Sequence, residues 1–111
     1  MTRAETPDSK LLDELVRRIL EVSKPKRVIL FGSAARGEMG SHSDLDILVI
    51  MPDGAHRRRT AQTIYCSLAG LGLAKDIVVA TENDVREHGA NPAMVLYPAL
   101  REGKELYHAT G

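Results

Sequence analysis

The stretch Val28-Ile29-Leu30-Phe31-Gly32-Ser33, followed after ten residues by Asp44-Leu45-Asp46-Ile47-Leu48-Val49-Ile50, decides how this chain folds. Its first part is a β-branched and aromatic run of the kind that forms a buried strand. The strand ends on a Gly-Ser turn, which can present backbone N–H groups and a hydroxyl to an anion. The second part opens with two carboxylates one residue apart and continues as another apolar strand. Side chains at i and i+2 of a strand share a face, so Asp44 and Asp46 project together. Asp76 heads a third strand-like run, Ile77-Val78-Val79, and is a third candidate acid. If the three converge with oxygens about 5 Å apart, each like-charged pair costs about 3 kcal/mol at an effective dielectric near 20. Such a cluster calls for a cation. Mg²⁺ suits it, because that ion takes oxygen ligands and is commonly shared between one or two carboxylates and substrate phosphates.

The rest of the chain reads outward from these strands. Upstream, Leu11, Leu12, Leu15, Val16, Ile19 and Leu20 recur at helical spacing after a cap at Asp8 or Ser9, and Pro25 closes that helix. Ala34 to Arg36 make a short helical turn, and Gly37 lets the chain bend back. Downstream, Pro52-Asp53-Gly54 stops the second strand. A second helix runs from Arg57 to about Leu71, with Ala61, Ile64, Tyr65 and Leu68 on one apolar face, and the glycines Gly70 and Gly72 end it. A third strand covers about 75 to 80. Thr81-Glu82-Asn83-Asp84 reads as a capping box with Asp in the acidic position. A further helix starts near Asn91-Pro92 and reaches Leu100, with Pro98 a threatened break, and Lys104 to Tyr107 form a last strand. Alternating helices and strands give an α/β fold, a small mixed sheet with helices packed on it.

Composition narrows the function classes. A chain of 111 residues is expected to form one domain, residues 1–111 with a core of about 9–107, too short for a second substrate-recognition domain. Fifteen basic and fifteen acidic residues cancel, which argues against a protein that coats nucleic acid or an anionic membrane. The apolar run Ile47 to Met51 is far short of the ~20 residues of a membrane span, and Met1 to Asp8 lack the apolar segment of a secretion signal. With one cysteine, Cys66, no internal disulfide can form, and the expected compartment is the cytoplasm. Cys66 falls in the helical pattern and reads as a packing thiol.

Taken together, Gly32-Ser33-Ala34-Ala35-Arg36-Gly37, Ser43-Asp44-Leu45-Asp46-Ile47-Leu48-Val49 and Lys75-Asp76-Ile77-Val78-Val79 resemble the minimal nucleotidyltransferases of the DNA polymerase β superfamily. The resemblance covers about residues 9 to 107 and extends to the closing Arg101-Glu102-Gly103-Lys104-Glu105-Leu106-Tyr107. It implies the polymerase β-like nucleotidyltransferase fold and a Mg²⁺-dependent reaction, in which an acceptor hydroxyl attacks the α-phosphorus of ATP and pyrophosphate leaves. By the same resemblance Asp44, Asp46 and Asp76 hold two Mg²⁺ ions, and Asp76 also accepts the proton of the attacking hydroxyl. Gly32 and Ser33 grip the β and γ phosphates, with Arg36 adding charge there. Stand-alone relatives of this kind commonly pair with a small helical HEPN-domain ribonuclease as antitoxin and toxin, transferring AMP to a tyrosine of the toxin. The expected activity is therefore protein adenylylation of a HEPN partner. Transfer to a small hydroxylated compound such as an aminoglycoside, and a non-catalytic module that neutralises a partner by covering it, are the two rival readings. A homo-oligomer is one further way for so small a domain to recognise its acceptor.

The remaining polar residues read more plainly. Arg57-Arg58-Arg59 sit at a helix start, where positive charge opposes the macrodipole; they are a solvated face or a contact for triphosphate, RNA or an acidic partner. Ser43 shapes the turn, His42 is a loop histidine near the phosphates, and His88 and His108 are surface residues.

Overall fold

The computed structural model describes residues 9–32, 45–71, 75–89 and 96–109. In chain order these form α1 (Ser9–Val22), β1 (Arg27–Phe31), β2 (Leu45–Met51), α2 (Arg57–Ser67), β3 (Lys75–Thr81), α3 (Glu82–His88), α4 (Leu96–Glu102) and β4 (Lys104–His108). The strands pair in the order β3-β2-β1-β4. β1 lies antiparallel to both β2 and β4, while β2 and β3 run parallel and are joined through α2, as a parallel pair requires. The sheet is therefore mixed, as the sequence predicts.

Strand periodicity divides the core in two. Val28 and Leu30 of β1 and Leu45, Ile47, Val49 and Met51 of β2 meet Leu12, Leu15 and Ile19 of α1, with Ile64 of α2 and Leu68 just beyond it. The alternate residues Ile29, Leu48, Ile50 and Ala80 face the other way and meet Leu96 and Ala99 of α4. A strand buried on both faces shows no polar alternation. That is why β2 reads as a continuous apolar run after Asp46, and why Leu45, Ile47, Leu48 and Val49 are fully buried.

Two helix ends are fixed by side chains. Arg18 of α1 donates to the Ala69 carbonyl at 3.0 Å and is itself held by Glu14, so a cation sits where the α2 dipole is negative. Both Arg17 and Arg18 donate to Glu14 and hold its carboxyl down to about 2. At the start of α3 the capping box is complete: the Asp84 N–H donates to Thr81 Oγ1, and the Thr81 N–H donates to Asp84 Oδ2.

Several expectations are corrected. Tyr65 does not share the buried face of α2 with Ile64 and Leu68; it is 54% exposed, and Cys66 is exposed too. The reason is that β3 is the outermost strand on that side, so the sheet extends under only part of the helix's apolar arc. Leu20 of α1 is similarly half out of the core. The kink or break left open at Pro98 is not a break in the described part of the helix, since α4 runs from Leu96 to Glu102; the expected start at Asn91-Pro92 lies outside the described residues.

Candidate functional site

Strand register brings the separated acids together. Phe31 of β1 is the cross-strand partner of Asp46, and Asp46 is the cross-strand partner of Asp76 on the parallel strand β3. Adjacent strands lie about 4.8 Å apart, and partners in register show their side chains on the same face. Asp46 and Asp76 are thus lateral neighbours on the face that also carries Leu48 and Val78, at the end of the sheet where β1 finishes and β2 and β3 begin. Asp46 is half-buried and Asp76 exposed.

Gly32 completes the described part of this end. Its φ of +78° lies in the left-handed region, which side chains rarely enter. A β-carbon built there would also overlap Asp46 Oδ2, so the carboxylate rests directly against the bare glycine backbone. Glycine is needed here twice over, for the turn and for the close approach. Ser33, Arg36 and Asp44 lie outside the described residues, as do Gly37, His42 and Ser43.

The described donors fit a hard cation as far as they go. Two acids sit on neighbouring strands in register and supply oxygen ligands, one of them resting against the Gly32 backbone. Among the described residues no set of three metal-ligating side chains is gathered. The two acids are the described members of the three expected from the sequence.

Beside Asp76 lies a feature that sequence reading missed. A groove of about 450 Å³ between α2 and the start of β3 is lined by Ala61, Gln62, Tyr65, Cys66, Asp76 and Ile77. Lys75 Nζ sits 5.0 Å from the centroid of the Tyr65 ring, a cation held over an aromatic face. The available signal was the width of the apolar arc on α2, which includes more residues than one sheet face can cover.

The basic run lies elsewhere. Arg57 begins α2 after β2 has crossed the sheet, so it sits beyond the opposite end from Asp46, roughly 20 Å away by the rise of a seven-residue strand. Arg57 pairs with Asp84 at 2.7 Å, and His56 Nδ1 accepts from the Arg59 N–H.

A family model described as a nucleotidyltransferase domain matches residues 9–97. A bifunctional uridylyltransferase/uridylyl-removing enzyme of Burkholderia thailandensis is 36% identical over 81 residues, which are 70% of this chain and 9% of that protein. The chain thus spans about one-tenth of the length of this curated relative. Among solved structures, a Sulfolobus solfataricus protein described as a nucleotidyltransferase superposes with a TM-score of 0.62 at 20% identity, covering 89% of this chain and 78% of the other. A toxin–antitoxin structure with AMP-PNP gives 0.57 at 24% identity, covering 88% and 74%. A tyrosine-to-alanine mutant of the toxin–antitoxin MntA-HpeT gives 0.55 at 24% identity, covering 94% and 75%. At these identities the superpositions show a shared fold.

Proposed function

The chain belongs to the nucleotidyltransferase domain family, and from that premise we propose that it transfers AMP from ATP to a tyrosine hydroxyl of a helical HEPN-type toxin, acting as the antitoxin. The observation that carries the catalytic part is the register of Asp46 against Asp76, with Gly32 pressed on the Asp46 carboxylate. Side-by-side acids next to a glycine turn are what a metal-assisted attack on a polyphosphate requires, and a purely structural strand end has no use for them. Support for the toxin partner comes from the fold shared with the two toxin–antitoxin structures, one of them with an ATP analogue.

In this reading Asp44, Asp46 and Asp76 hold the metal. Bound Mg²⁺ supplies charge that stabilises the entering and departing oxygens. The backbone at Gly32 and the Ser33 hydroxyl orient the β and γ phosphates, and Arg36 adds a positive charge beside them. Asp76, the more exposed acid, accepts the proton of the incoming hydroxyl. The test uses ATP labelled at the α or at the γ phosphate, Mg²⁺ and a HEPN protein encoded beside this chain. Label should reach a tyrosine of the partner from the α position and not from the γ. Equal transfer from both, or none from either, would sink the proposal. Substituting UTP for ATP separates the adenylyl reading from the uridylyl chemistry named for the Burkholderia relative.

A further inference from the structure

We propose that the outer edge of β3 is an interface between two copies of this chain, which pair their β3 strands antiparallel about a two-fold axis at Ile77 and continue one sheet into the other. The inference is independent of the transfer chemistry proposed above.

The first observation is a helix broader than the sheet it covers. Tyr65 and Cys66 of α2 are exposed beside the last strand, and with Ala61 and Ile77 they line the groove of about 450 Å³ on that face of β3. On the opposite face a second cleft, of about 320 Å³, is lined by Val78, Ala80 and Leu96. Alternate side chains of a strand point to opposite faces, so one strand laid along β3 would send apolar groups into both spaces at once.

The second observation is the edge itself. Among the described residues β3 is the outermost strand, and a strand paired on one side directs the N–H and C=O of alternate residues away from the sheet. Edges are ordinarily guarded by charge, proline, a bulge or short length. The other edge strand has such guards: β4 is five residues long, Lys104, Glu105 and His108 are exposed, and its register against β1 shifts. β3 has seven residues and no proline, and its charges stop at Lys75 and Asp76. Ile77, Val78 and Val79 follow, each half-buried and β-branched.

The third observation selects the occupant. At the Thr81 end the Arg57–Asp84 ion pair joins α2 on one face to α3 on the other. Residues 75–79 remain open, with Ile77 at their centre. Pairing this segment with its own copy sets Ile77 against Ile77, Asp76 against Val78 and Lys75 against Val79, so no like charges are opposed. A highly charged foreign peptide would find no matching array along an edge that carries one Lys and one Asp. Fifteen basic and fifteen acidic residues leave no net charge to hold two copies apart. A two-fold pair also uses up both edges and stops at two copies.

Sedimentation equilibrium of the parent chain from about 1 to 500 µM is the test, because the population of a dimer depends on protomer concentration. The mass should rise from that of one chain to that of two and no further. Over the same range, amide hydrogen exchange at residues 77–79 and labelling of Cys66 by N-phenylmaleimide should each slow severalfold, while exchange in β4 is unchanged. Ile77→Lys and Ile77→Glu should each weaken dimerisation at least tenfold, since like charges then meet at the axis, and an equimolar mixture of the two should restore a dimer. The parent readings stand even if the Ile77 variants do not fold. The proposal is overturned if the parent stays monomeric throughout, even where an extended peptide of another protein binds the edge, or if its mass grows beyond two copies. Protection on β4 instead of β3, a folded Ile77 variant that dimerises like the parent, or a mixture of folded variants that stays monomeric would overturn it equally. None of these readings involves nucleotide, so failure here is distinct from failure of the transfer reading.

Discussion

The two ends of strand β2 handle negative charge in opposite ways. At its start, Asp46 stands beside Asp76, acid against acid. Past its finish, each acid has an arginine: Asp53 accepts from Arg86 at 2.8 Å and from the Asn83 N–H, and Asp84 accepts from Arg57 and from the Thr81 N–H. The first arrangement suits the metal-assisted site proposed above, where a cation and a polyphosphate would share the acids. The second ties the β2–α2 and β3–α3 turns together. The proposed chemistry and the network of ion pairs thus lie at opposite ends of one strand.

The contrast is broken most severely at the acidic end. Asp76→Asn should cut nucleotide transfer at least a thousandfold, about 4 kcal/mol of transition-state stabilisation, when labelled ATP and partner are followed over time. Without metal, the same variant should melt no lower than the parent, because one member of a like-charged pair is gone. Full activity with a lowered melting temperature would make Asp76 a structural acid.

Next in size is the core beneath both ends. Leu48→Ala removes a fully buried side chain from the central strand and should cost about 2–5 kcal/mol in denaturant unfolding. Gly32→Ala should cost about 1–2 kcal/mol through the left-handed backbone and, by pushing the Asp46 carboxylate aside, reduce transfer by more than that loss explains. A variant that is less stable yet fully active would show that Gly32 serves the turn and not the site.

At the paired end the effects are smaller. Thr81→Ala removes one half of the capping box and should cost about 0.5–2 kcal/mol with nucleotide binding untouched. Acid titration probes the same end. The Thr81 N–H and then Arg57 hold the Asp84 carboxyl below its usual range; Arg86 and then the Asn83 N–H do the same for Asp53. A carboxyl depressed in the folded state contributes stability that is full above its unfolded value of about 4 and drains as pH falls through the lower folded value. Unfolding free energy should therefore decline as pH drops below about 4, and Asp84→Asn should flatten part of that decline. An unchanged slope in the variant would remove Asp84 from the acid response.

Much of the fold was legible because its strands are short apolar runs bounded by Gly, Pro and Asp. The starts and stops at Val28, Pro52 and Thr81 carry their own turn and cap chemistry. The lateral pairing of Asp46 with Asp76 was not legible from spacing; it depends on β2 and β3 being parallel neighbours in one particular register, which the family resemblance implied and local pattern could not supply. The exposure of Tyr65 and Cys66 was misread for a related reason. Helical periodicity identifies an apolar arc but not how far the sheet beneath it extends, and here the sheet ends at β3.

The most direct test of the acidic end is calorimetric titration of a non-hydrolysable ATP analogue into the parent and into Asp46→Asn, each with Mg²⁺ and with EDTA. The parent should bind at least tenfold more tightly with Mg²⁺ than with EDTA, and Asp46→Asn should lose that increment while remaining folded. Equal affinity of the parent in Mg²⁺ and EDTA, or an undiminished Mg²⁺ increment in Asp46→Asn, would contradict a metal-completed phosphate site between Gly32 and the paired acids.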